Sequence, residues 1–209
     1  HRSVDGADIY FVTPQVGHSF DGQVLFRAKG NVEIWNPITG SATSVKSFTE
    51  GEYTVVDLSL PESGSCFVVI HDGEPHPYVE KFEIAQEKPI GGEWTLSFPE
   101  GWDVPAQVKV KELKAWKDLD FSAEGKAFSG SVKYSTKFVA DKADVQSGGV
   151  KLDLGKVDMI ATVKLNGKAL ATLWCAPYSL DISKAIVEGE NELEIEVTST
   201  WFNRLVYDA

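Results

Sequence analysis

The chain has 209 residues, 43% hydrophobic and 24% charged, with a formal net charge of -11, which suits one large or two small cores. No apolar run approaches the roughly 18 residues that cross a bilayer as a helix, so a membrane span is excluded. Lys and Arg are scattered, whereas nucleic acid and anionic membranes are bound by clustered cations, so neither is a partner and neutral ligands stay open.

The elements read almost entirely with a period of two. Asp8–Val12, Gln23–Arg27, Val32–Trp35, Tyr53–Leu58 and Cys66–Ile70 are predicted strands, each bounded by Gly, Pro or Asn. Asn36-Pro37-Ile38-Thr39-Gly40 is a turn, since Pro37 presets one dihedral and Gly40 tolerates positive φ. Short strands closely spaced predict a sandwich. The pattern weakens between Asp72 and Pro89, placing a domain boundary near residue 87 and dividing the chain into 1–86 and 87–209; Val79 to Ile84 could be a strand of either part.

Alternation returns at Glu93–Phe98, Gln107–Leu113, Gly130–Phe138, Val150–Leu154, Ala161–Leu165, Tyr178–Ile182 and Glu192–Val197. Charged residues at every second position predict sheets with one wet and one packed face, hence a second sandwich. Only Leu113–Asp118 and Ser183–Val187 have even a weak helical pattern, about one turn each. Cys66 and Cys175, the only cysteines, read as small buried hydrophobes, not as a disulfide, a thiolate metal site or a nucleophile.

Two sets of residues carry resemblances. Residues from Tyr134 to Val197 resemble the galactose-binding-like jelly roll attached to family 2 and related glycoside hydrolases. The signal is a Tyr-x-x-x-Phe strand, then Val163-Lys164-Leu165-Asn166-Gly167, Ala176-Pro177-Tyr178-Ser179-Leu180-Asp181-Ile182-Ser183 and Gly189-Glu190-Asn191-Glu192-Leu193. Asn166-Gly167 is also a preferred type I′ hairpin turn. More widely, His1-Arg2 through Val12, the Trp35–Gly40 turn, Ser129-Gly130, Leu173-Trp174 and Trp201-Phe202-Asn203-Arg204-Leu205 are similar to the C-terminal portion of family 106, the α-L-rhamnosidase-like enzymes. Phe202, Cys175 and Tyr207 depart from that pattern. In such enzymes a catalytic barrel precedes β-sandwich modules, and the absence of an initiator Met before His1-Arg2 reads as a trimmed start. The resemblance therefore implies an all-β chain of two β-sandwich domains, the second a galactose-binding-like jelly roll, from an exported bacterial hydrolase located in the periplasm or outside the cell.

A glycosidase needs two carboxylates flanking the scissile bond. Here the Asp and Glu residues read as solvated strand faces and turns, so no catalytic residue is assigned and the chain is expected to be inactive by itself. His71, Asp72, Glu74 and His76 are the one cluster with metal-ligand chemistry, and in a Pro-containing stretch they read as a solvated linker. Asp141 and Asp144 could serve a structural calcium ion of the kind jelly rolls often hold, but no metal or cofactor is assigned. Sugars stack their C–H faces on Trp and Tyr and bond their hydroxyls to Asn, Asp and Arg. The carbohydrate-binding candidates are therefore Trp174, Tyr178, Trp201, Asn203 and Arg204. The plainer reading makes these core fillers or a tie to the catalytic barrel, a structural brace without sugar binding; Trp94, Trp102 and Trp116 read as packing. A free-standing lectin-like protein is a third reading.

Overall fold

The computed structural model describes residues 1–78 and 86–209. The chain separates into two compact units, His1–Glu83 and Ile84–Ala209, both mostly β. The strand expected over Val79 to Ile84 lies outside the described residues.

In the first unit β1 (Arg2–Val4), β2 (Ala7–Val12), β3 (Phe20–Phe26), β4 (Asn31–Trp35), β5 (Ala42–Ser44), β6 (Ser47–Glu50), β7 (Tyr53–Leu60) and β8 (Cys66–His71) form two antiparallel sheets. One runs β1-β2-β8-β4-β5 and the other β3-β7-β6. Alternation explains their packing: Val32 on β4 and Cys66, Val68 and Ile70 on β8 turn inward to meet Phe26, Val56, Leu58 and Leu60. The Asn36 turn forms as predicted, its side-chain oxygen accepting from the backbone N–H of Ile38 (2.8 Å) and Thr39 (3.1 Å). Strands β1, β5 and β6 were not predicted; β1 and β2 are joined by Asp5-Gly6, both at positive φ, a primed hairpin turn.

In the second unit β9 (Trp94–Ser97), β10 (Gln107–Val110), a 3-10 turn (Trp116–Asp118), α1 (Ala123–Lys126), β11 (Ser131–Ala140), α2 (Lys142–Gln146), β12 (Lys151–Asp153), β13 (Ile160–Leu165), β14 (Lys168–Leu173), β15 (Ser179–Asp181), β16 (Gly189–Thr198) and α3 (Phe202–Asp208) follow in order. The six-stranded sheet runs β10-β9-β11-β16-β13-β14, and β12 pairs with β15. Val132 and Tyr134 from β11, Leu193 and Ile195 from β16, and Ala161, Val163 and Leu165 from β13 form its packed face. Phe128 is fully buried among Phe98, Trp102 and Trp116, with ring centroids 5.0–5.3 Å away.

The helical expectation over Leu113–Asp118 is met by the 3-10 turn at Trp116–Asp118, and elsewhere it is corrected on both sides. Ser183–Ala185 is a turn, whereas α1, α2 and α3 form where no helix was expected. Local caps account for two of these. Ser122 accepts from the N–H of Gly125, and Asp141 and Asp144 form a reciprocal capping box on α2. The Asn166-Gly167 turn is present at φ 52° and 75°. It is fastened by Asn191, which is wholly buried: its amide oxygen accepts from Asn166 Nδ2 and the Val187 N–H, each at 2.9 Å, while its amide nitrogen donates to two carbonyls. The Asn-Gly and Gly-Glu-Asn motifs are thus halves of one hydrogen-bonded staple.

Candidate functional site

Leu173 on β14, Ala161 on β13 and Val197 on β16 form one cross-strand row in the second unit. The residues that follow β14 and β16 therefore emerge at the same rim of the sheet. All five sugar-contact candidates lie at that rim, but they form two groups, and among the described residues no hydrogen bond or ring stack joins them.

The first group is the loop after β14. The Trp174 side chain is 62% exposed. Tyr178 is half-buried and donates its hydroxyl to the Met159 carbonyl at 2.6 Å. Met159 itself holds φ at 127°, a conformation that costs a non-glycine residue of order 1–3 kcal/mol and tends to occur at ligand sites. Cys175 on this loop is only half-buried, correcting the expectation that both cysteines are core residues; Cys66 is buried, which pushes its thiol pKa up.

The second group is α3. Arg204 donates to Asp208 (2.8 Å) and Glu124 (3.1 Å), and its guanidinium sits over the rings of Trp102 and Tyr207. Its backbone N–H bonds the hydroxyl of buried Ser129 at 3.2 Å. Trp201 packs on Trp102 with centroids 5.8 Å apart, so Trp102 belongs to this rim cluster as well as to the core. Asn203 is exposed beside an open depression of about 270 Å³ between α3 and residues 117–127. Arg204 thus fastens the helix, whereas Trp201, 61% exposed despite its packing on Trp102, and Asn203 remain open to a ligand.

The remaining candidates change more. Asp141 and Asp144 spend oxygens on the α2 cap and also on the Lys88 ammonium, at 3.0 and 2.6 Å. In the first unit, His71 is the last residue of β8 rather than part of a linker, and it converges with His76 on Glu33, which is 1% exposed. Glu33 is thus an exception to the reading of nearly every acid as solvated. Glu33 accepts from the Trp35 indole (2.7 Å), the His76 N–H (2.7 Å), His76 Nδ1 (2.8 Å) and His71 Nε2 (3.3 Å). Burial alone would raise its pKa; these donors outweigh burial and hold it at about 2. Such a group is a fixed anion, not a proton donor. The one local signal was Glu33 and Trp35 on the same strand face; the two His come from about forty residues further along the chain.

Residues 123–206 match the family described as the glycosyl hydrolase 2 galactose-binding domain-like family. The second unit carries a galactose-binding-like domain. This domain spans α1 to α3 and so includes both candidate groups. The whole chain, galactose-binding-like domain included, superimposes on 20% of a solved rhamnosidase from Novosphingobium sp. PP1Y, with 32% identity and a TM-score of 0.86. A curated protein of Formosa agariphila, named "Putative beta-glucuronidase", is 36% identical over 172 residues, covering 73% of this chain and 14% of that protein. The chain therefore spans a fifth or less of the length of these relatives.

Proposed function

We propose that this chain is a non-catalytic accessory region of a larger bacterial glycoside hydrolase, in which the Trp174–Tyr178 end of the galactose-binding-like domain contacts carbohydrate. Residues 1–86 are then the sandwich that follows a catalytic barrel, and residues 87–209 the jelly roll. Export to the periplasm or beyond belongs to the same reading. The observation that carries it is Trp174, a large ring left exposed on the same loop as Tyr178, whose hydroxyl holds the carbonyl of the strained Met159. An indole face beside fixed polar groups is the usual chemistry of sugar recognition. The relatives' names, a rhamnosidase and a glucuronidase, support a glycan-processing parent.

Calorimetric titration with rhamnose- and galactose-containing oligosaccharides tests this. Trp174→Ala is expected to weaken binding at least tenfold, about 1.4 kcal/mol, without a change in melting temperature. Undiminished binding in Trp174→Ala defeats the proposal.

A second reading, a brace for the parent's catalytic barrel, is favoured by α3. Phe202, Leu205, Val206 and Tyr207 are all exposed on this one short helix, and contiguous apolar exposure marks interaction surfaces. In the full-length parent, Leu205→Asp is then expected to lower the melting temperature by several degrees while leaving the isolated 209-residue chain unchanged.

A further inference from the structure

The outer face of the five-stranded sheet in the first unit carries a row of aromatic side chains. The register pairs Phe11 with Phe67 and Phe67 with Trp35, so three aromatic side chains form one row across β2, β8 and β4. Their neighbours Cys66 and Val68 point to the core, which turns this row away from it. Phe11 is 56% exposed and Trp35 41%. The rings of Phe11 and Phe67 lie 5.2 Å apart, and His76 stands beside Trp35 at 6.3 Å with the ring planes at 81°.

Glu33 fixes this corner. Taking a carboxylate out of water costs several kcal/mol before its partners compensate. Two of its partners, His71 and the His76 backbone N–H, belong to β8 and the chain that follows it. The other two are the indole of Trp35 and the ring of His76, side chains that themselves stay in solvent. With Nδ1 bonded to Glu33, Nε2 of the half-exposed His76 has no partner among the described residues, and in the neutral ring that nitrogen is an acceptor. The buried anion thus orients an exposed aromatic surface and an exposed hydrogen-bond acceptor side by side.

We propose that this face is a second carbohydrate-contacting surface, taking a neutral oligosaccharide whose apolar C–H faces lie on Trp35 and Phe11 and whose hydroxyl donates to His76 Nε2. The chain's charge of -11 disfavours an acidic glycan. The proposal rests on the first unit alone and is independent of the Trp174 reading.

The test is a nitrogen-proton correlation spectrum of the 209-residue chain titrated with neutral rhamnose- and galactose-containing oligosaccharides. The six Trp indole signals are assigned by single Trp→Phe substitutions. A saturable shift of the Trp35 signal is expected, retained in Trp174→Ala and weakened at least tenfold in His76→Ala, whose dispersed spectrum reports an intact fold. A Trp35 signal that stays still while Trp174 moves defeats this proposal and leaves the other standing. The converse pattern does the reverse, and silence at both sites defeats both. Self-association abolished by Phe11→Ser, with no sugar effect, also overturns it by making the face a protein contact.

Discussion

Phe128→Ala is expected to destabilise the second unit by about 3–5 kcal/mol, lowering its calorimetric melting temperature by roughly 10–20 °C. The ring is wholly buried, and Phe98, Trp102 and Trp116 surround it edge to face. Those neighbours are themselves held: Trp116 donates its indole N–H to the hydroxyl of Tyr134, so they cannot collapse to fill the void. Because Trp102 also supports Trp201 and the Arg204 guanidinium, the loss should extend to α3. Near-ultraviolet circular dichroism, which reports the packed Trp rings, should weaken together with the calorimetric transition. A drop of less than about 1 kcal/mol would mean that the cluster is not the unit's core.

The second large effect concerns pH. The Glu33 carboxyl titrates near 2 in the folded state, below its ordinary 4.5. A carboxylate whose pKa is depressed by folding stabilises fully above its unfolded value, and that contribution disappears as pH falls through the folded value. The first unit should therefore lose roughly 2–3 kcal/mol between pH 4.5 and 2. Glu33→Gln removes the titrating group and turns an amide N–H₂ toward donors that need an acceptor. It should lower stability at pH 7 by about 2 kcal/mol or more, and the same acid interval should then cost that variant much less. Urea titrations of both proteins at pH 7, 4.5 and 3 supply the comparison. Parallel pH profiles would show that the buried anion contributes nothing.

Much of this architecture was legible because alternation is a local signal. Val132, Tyr134 and Thr136 face one way and Lys133 and Lys137 the other, as a half-wet strand requires. What escaped was of two kinds. Strand β14 was overlooked although the Asn166-Gly167 turn had been recognised, and a hairpin turn demands a returning strand; Asp5-Gly6 carried the same message for β1. Two of the short helices, α1 and α2, were missed because side-chain caps, rather than apolar periodicity, start them. In the candidate sites, the rim position of Trp174 and Tyr178 followed from the spacing of the strands around them. Sequence could not tell that Arg204 is consumed by Glu124 and Asp208, since one of these partners lies 80 positions away. The role of Glu33 was hidden for a similar reason: its donors come from β4, β8 and the loop after β8, and only the closed sheet brings them to one point.

The pairing of β11 with β16 joins residues 131–140 to residues 189–198 along ten consecutive positions. The two central strands of the six-stranded sheet are thus contributed by segments nearly fifty residues apart. During synthesis the earlier strand must wait without its main partner until residues 189–198 have also left the ribosome, so this unit acquires its structure in one cooperative step. A stop codon placed just before Gly189 should accordingly yield an aggregating product, not a shortened but folded one.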